Sequence, residues 1–240
     1  MTVVANQEIS RLGDHAHLTL DYRPAEESVW YALHARPRPC FTPGLLADIA
    51  AFQNRVESLI RSGDLPVSYL VPHSRVPGVF NLGLGIEAAL SSAVLIAGKG
   101  SELGLPEILF NLFPGMGAYS LLSRKLDARR TEKLITAGRL YSAEALFEMG
   151  VVDVLAEPGE GEAAVVEYIR LHRRAANGRR AITRVREYLN SLTDEELIDI
   201  AEIRVDASLS LTDRDLRLMS RLVGARNRLK VSSRAAIHSA

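Results

Sequence analysis

Leu45, Leu46, Ile49, Phe52, Val56, Leu59 and Ile60 recur at helical spacing. They predict an amphipathic helix with Thr42 as N-cap, Pro43 at its first position and Gly63 closing it. Two runs rich in β-branched and aromatic residues flank that helix. Val29–Leu33 and Val67–Val71 are predicted strands, the second stopped by Pro72. From Val79 to Ala156 the chain is glycine-rich and apolar. Short helices are predicted at 86–92, 119–126, 131–136 and 143–149, strands at 93–97 and 151–155, and a loop over 98–106. From Gly161 onward the pattern is almost entirely helical, with helices at 162–176 and 180–192. A third opens on a capping box formed by Thr193 and Glu196, and a last one starts at Thr212 with Leu216, Leu218, Met219 and Leu222. The chain thus divides into an α/β core over 1–160 and a C-terminal helical region over 161–240. Residues 232–240 are expected to fray, and no internal repeat or low-complexity segment stands out.

Composition narrows the function classes. A chain of 240 residues with 47% hydrophobic content can bury a substantial core. Lys plus Arg and Asp plus Glu both number 29, so net charge is zero and no nucleic-acid partner held by bulk electrostatics is expected. Arg214, Arg217, Arg221, Arg226, Arg228 and Lys230 make the C-terminal end basic, read as a solvated helical face, with docking of an acidic carrier as the alternative. Arg124, Lys125, Arg129 and Arg130 read likewise as exposed helix charges. Cys40 is the only cysteine, which excludes an intramolecular disulfide and argues against structural zinc. It reads as a small half-buried residue. Met1–Asp21 lacks a basic segment followed by an apolar one, and no stretch reaches membrane-spanning length. A soluble, cytoplasmic protein with no membrane partner is expected.

Two carboxylates stand out by context. Glu87 falls in the first turn of a short helix after Gly83-Leu84-Gly85, and Glu107 lies between Gly104-Leu105-Pro106 and Ile108-Leu109-Phe110. Acidic groups in apolar surroundings are costly unless paired or functional. A helix-dipole carboxylate and a loop salt bridge are the plain alternatives. Glycines before a helix let backbone N–H groups approach a developing oxyanion. An oxyanion hole beside two carboxylates suits proton transfer at the α and β carbons of a thioester. The same Gly-x-Gly also fits a tight turn or a phosphate cradle; the dinucleotide pattern Gly-x-Gly-x-x-Gly is not completed.

Longer motifs go further. Glu87-Ala88-Ala89-Leu90-Ser91, Gly104-Leu105-Pro106-Glu107 and Leu112-Phe113-Pro114-Gly115-Met116-Gly117-Ala118-Tyr119-Ser120 resemble the core of the diffusible-signal-factor synthases, within the crotonase (enoyl-CoA hydratase/isomerase) superfamily. Val79-Phe80-Asn81-Leu82-Gly83, Tyr141-Ser142-Ala143-Glu144 and Met149-Gly150-Val151-Val152-Asp153 add to the resemblance, which extends from about Val29 to Arg228. It implies an α/β, crotonase-like spiral of β-β-α turns with a C-terminal helical region, assembled as a homo-oligomer, a trimer or dimer of trimers. It implies Glu87 and Glu107, twenty residues apart, as the catalytic pair. Gly83 and Gly85 would supply the oxyanion hole, and Phe113, Gly115 and Met116 would lie along the acyl chain. The implied activity is dehydration of a 3-hydroxyacyl-acyl-carrier-protein to a cis-2-enoyl thioester, then thioester hydrolysis releasing a fatty-acid signal. No metal or redox cofactor is implied. The partners are acyl-carrier protein or acyl-CoA and a regulatory sensor protein.

The sequence departs from that family between Gly83 and Glu87. Members carry a helix and a strand between two glycine-rich loops, each giving one N–H to the oxyanion hole. Here Asn81-Leu82-Gly83 runs directly into Leu84-Gly85-Ile86-Glu87. Arg204 also stands where that family carries an aromatic residue. Two further readings therefore accompany the first: a catalytically impaired crotonase-fold protein that binds acyl thioesters or a regulatory partner, and an enoyl-CoA hydratase acting on coenzyme A thioesters.

Overall fold

The computed structural model describes residues 9–33, 42–73 and 85–221. Gly83, Cys40, Arg226, Arg228 and Lys230 lie outside them. Two strands, β1 (Leu18–Arg23) and β2 (Ser28–Leu33), form an antiparallel pair with Leu18 opposite Leu33. Helix α1 (Pro43–Ser62) follows, completing one β-β-α turn. Its ends are those read from sequence. The Thr42 hydroxyl accepts from the Leu45 N–H, and Gly63, at φ 76°, turns its N–H back to Ile60. Leu45, Phe52, Val56 and Leu59 form the inner face, while Leu46 and Ile60 are exposed.

Strand β3 (Tyr69–His73) pairs parallel with β2, two residues later than its predicted position. Pro72 lies inside it rather than ending it, opposite Tyr31. A proline lacks a donor, so it sits where a strand has a neighbour to satisfy on one side only. Among the described residues the sheet ends at β3. Helix α2 (Gly85–Leu90) comes next, then β4 (Ile96–Gly98), whose only strand partner among the described residues is β7 (Val154–Ala156). Among the described residues no strand joins β3 to β4.

Among the described residues the buried side chains fall into two clusters. Leu12, Tyr22, Val29, Phe52 and Val56 belong to one buried cluster; Ile86, Leu105, Leu122, Leu134, Leu146 and Val152 belong to another. The second is closed by α3 (Ala118–Ser123), α4 (Ala128–Thr136), β6 (Leu140–Ser142) and α5 (Ala143–Glu148). Residues 102–104, read as loop, are a strand, β5 (Glu102–Gly104), antiparallel to β6. Helix α6 (Gly161–His172) spans both halves. It packs on β4, on β7 and on the 3-10 turn Pro24–Glu26. Arg23 pairs with its Glu162 at 3.2 Å.

From 161 the described chain is helical, as read. After α6 come α7 (Ala176–Leu189), α8 (Asp194–Leu209) and a final helix over 213–221. The predicted capping box at Thr193 is half made. The Thr193 hydroxyl accepts from the Glu196 N–H at 3.1 Å, but the Glu196 carboxylate is engaged by Arg124. The reciprocal box forms at Thr212 instead, whose N–H donates to Asp215 Oδ2 at 2.9 Å while its hydroxyl accepts from the Asp215 N–H.

Candidate active site

Glu87 is buried, at 5% exposure, in the first turn of α2. Ile86, Ala89 and Leu90 are buried with it, and α2 packs against α3. Removal from water favours the neutral acid and pushes the Glu87 pKa up to about 7. A hydrogen bond with its own backbone pulls the other way, and the negative charge of Glu107 adds to the rise. The fold therefore brings the two glutamates within electrostatic reach across twenty residues of chain.

Glu107 is delivered by a rigid lead-in. Strand β5 pairs Gly104 with Leu140, and the ideal Cβ position at Gly104 lies 2.4 Å from the Arg139 carbonyl oxygen. Only glycine permits that approach. Leu105 is fully buried one residue later, and Glu107 then opens a 3-10 turn, Glu107–Phe110. Leu112 closes it by donating its N–H to the Glu107 carbonyl at 3.1 Å. Asn111 takes a left-handed φ of 59° there, a conformation that asparagine tolerates well. The Glu107 Oε2 atom is shut off from solvent.

The segment after Leu112 forms the third side. Phe113 is half-buried, Gly115 is buried and Met116 is 55% exposed. Gly115 lies under Arg204 of α8, so closely that its ideal Cβ position would be 2.3 Å from the Arg204 Cβ. Gly117 caps α3 at φ 88° beneath Leu197, one helical face with Arg204. Gly85 is the first residue of α2, and the other expected oxyanion donor, Gly83, lies outside the described residues.

Sequence reasoning underestimated two cations. Arg124 is not an exposed helix charge. It donates to both oxygens of Glu196, at 3.0 and 2.7 Å, and to the carbonyls of Ser120, Asn190 and Ser191. The Lys125 side chain is largely buried and meets Asp153 at 3.3 Å. Arg129 and Arg130 are exposed, as read. No local signal marks Arg124, because its partner lies 72 residues away.

The fold has the crotonase architecture. It is similar to the structure of Pseudomonas aeruginosa DspI, with a TM-score of 0.63 at 16% identity over 82% of this chain and 97% of that one. It is also similar to carnitinyl-CoA hydratase from Mycobacterium avium, with a TM-score of 0.64 at 16% identity over 81% and 91% of the two chains. In sequence, residues 58–222 match the enoyl-CoA hydratase/isomerase family, and the chain belongs to that family. An 89-residue stretch is 33% identical to the fatty acid oxidation complex subunit alpha of Pseudomonas syringae pv. tomato. That match covers 37% of this chain and 12% of that protein, so the chain spans a minor part of the length of the relative.

Proposed function

We propose that the protein dehydrates a 3-hydroxyacyl thioester carried by acyl-carrier protein to the cis-2-enoyl thioester and then hydrolyses the thioester, releasing a free unsaturated fatty acid as a signal. The observation that carries this reading is Glu87: a buried carboxyl poised near neutrality beside the charge of Glu107. In the dehydration one carboxylate takes the α proton. The electron pair left behind forms the double bond as the β-hydroxyl departs with a proton from the other carboxyl, as water. Gly83 and Gly85 hold the carbonyl oxygen, and Phe113, Gly115 and Met116 border the acyl chain. Proton transfers and water balance the reaction, which calls for no cofactor beyond the thioester itself.

The same reading places the protein in the cytoplasm as a homo-oligomer, a trimer or dimer of trimers. Among the described residues, no helix is long and apolar enough to cross a membrane. In α7, Ile182, Val185, Tyr188 and Leu189 are exposed, and neither α7 nor α8 buries a residue within the single chain. Faces of that kind favour association. A regulatory sensor protein is a further partner within this reading.

A second reading is favoured by the sequence, in which Asn81-Leu82-Gly83 runs almost directly into Leu84-Gly85-Ile86-Glu87. If no two N–H groups converge at the thioester carbonyl, the protein binds acyl thioesters or its regulatory partner without turning them over. A hydratase acting on coenzyme A thioesters is the third, supported by family membership. Incubation of purified protein with matched 3-hydroxyacyl-carrier-protein and 3-hydroxyacyl-CoA, with enoyl product and released thiol both measured, separates them. Enoyl product and thiol from the carrier substrate support the first reading. Tight carrier binding without product supports the second, and turnover confined to coenzyme A the third.

A further inference from the structure

The final helix, over 213–221, turns one side inward and leaves the other in solvent. Asp215 and Met219 are half-buried, one turn apart, whereas Arg214, Arg217, Leu218 and Arg221 are exposed. At spacings of three, four and seven residues these four share the outer side of the helix. Asp213, also exposed, is the one carboxylate beside them. Among the described residues none of the three guanidiniums lies within ion-pair distance of a carboxylate. The helix is fastened to the turn that carries Glu107. Asn111, which ends that turn, donates from Nδ2 to Asp215 Oδ2 at 3.4 Å. The same oxygen caps the helix, accepting from the Thr212 N–H at 2.9 Å and from its hydroxyl at 2.6 Å.

The chain as a whole carries no net charge, so attraction for an acidic partner has to be local. Three cations strung along two helical turns, about 10 Å, do not converge on a single phosphate. They fit a row of carboxylates on an acidic helix laid against them, with Leu218 giving an apolar contact between the charges. A partner seated there lies beside the turn that opens with Glu107, where a thioester on a flexible arm has the shortest way to the carboxylate. We propose that this face docks the acidic helical surface of an acyl-carrier protein. The proposal rests on the reading that the substrate is borne by a carrier.

The full chain is titrated against fluorescently labelled carrier protein bearing phosphopantetheine but no acyl group, and anisotropy gives Kd. Binding to the unmodified protein should weaken steeply with added salt. Reversing all three charges, Arg214→Glu, Arg217→Glu and Arg221→Glu, should raise Kd about tenfold or more and flatten the salt dependence. The neutral pair Arg217→Gln and Arg221→Gln should fall between. Arg180→Glu with Arg184→Glu, reversing two exposed cations of α7, should leave Kd unchanged. Turnover of 3-hydroxyacyl-pantetheine, which lacks the carrier, should not differ between the unmodified protein and the triple variant. Coenzyme A binding and sedimentation of the triple variant are measured in parallel. The inference is overturned by absence of carrier binding, by a Kd indifferent to the triple reversal, or by equal weakening from the α7 pair. An equal loss of coenzyme A binding, or a changed oligomeric state in the triple variant, overturns it too. Carrier binding that depends on the three arginines, without turnover of any thioester, sustains the docking face while removing the catalytic reading.

Discussion

Arg124 and Glu196 meet side-on through two hydrogen bonds, Nη1 to Oε1 at 3.0 Å and Nη2 to Oε2 at 2.7 Å. The remaining donors of Arg124 serve the Ser120, Asn190 and Ser191 carbonyls. One residue on α3's C-terminal edge thus holds the end of α7 and the start of α8. Removing it strands two carbonyl groups of the connecting loop as well as the carboxylate. Arg124→Ala should therefore destabilise the fold by about 2–3 kcal/mol, and Glu196→Gln by about 1 kcal/mol, discounted for partial exposure. Urea denaturation checks the order, and limited proteolysis should show new cleavage near residues 190–193 in Arg124→Ala.

Glu196 also supplies an acid-sensitive element. The hydrogen bonds from Arg124, then that of Ser120, hold its carboxyl below the usual carboxylate range. Its contribution is present above the ordinary carboxylate pKa and is lost as pH falls through the lowered folded value. Stability measured from pH 6 downward should decline less steeply in Glu196→Gln than in the unmodified protein.

Glu87 has the opposite sign. Unfolded, it gives up its proton near 4.5; folded, near 7. Below 4.5 both states are neutral and burial is tolerated. Between the two values only the unfolded chain ionises, so stability drops, by roughly 3 kcal/mol once pH exceeds 7, at about 1.4 kcal/mol per unit. Glu87→Gln should therefore be more stable than the unmodified protein at pH 8 and indistinguishable from it at pH 4. Glu107→Gln removes the neighbouring charge and should lower the Glu87 titration midpoint, which carbon-13 NMR of the carboxyl measures directly.

Gly104 sets where Glu107 sits. A methyl group there would press on the Arg139 carbonyl oxygen and on Leu140 Cα, both backbone atoms that cannot swing away. Gly104→Ala should force β5 from β6, cost about 1–3 kcal/mol and lower turnover by displacing the turn that carries Glu107. Gly98→Ala is the control, since its Cβ meets nothing within 4 Å. Equal turnover in the two variants would show that β5 does not position the carboxylate.

Local chemistry made some of this legible in the sequence. The ends of α1 were readable because Thr42, Pro43 and Gly63 act within one turn of the helix they bound. Glu87 and Glu107 were readable as unusual carboxylates because their immediate neighbours are apolar. Their electrostatic coupling was not, since spacing along the chain says nothing of distance across it. Strands β5 and β6 were missed for a related reason: three residues are too few to show a period, and they exist as strands only through each other. Glu196 shows how a local rule is overridden, its carboxylate leaving the predicted capping box for an arginine from another helix.

The central claim is that Glu87 and Glu107 work as a pair on an acyl thioester, and single-turnover dehydration of a 3-hydroxyacyl-carrier-protein tests it most directly. The unmodified protein should form the enoyl thioester. Glu87→Gln and Glu107→Gln should each slow that step by about a hundredfold or more, and the double variant hardly further, as expected of residues acting as a unit. Dehydration that proceeds undiminished in both single variants would contradict the account.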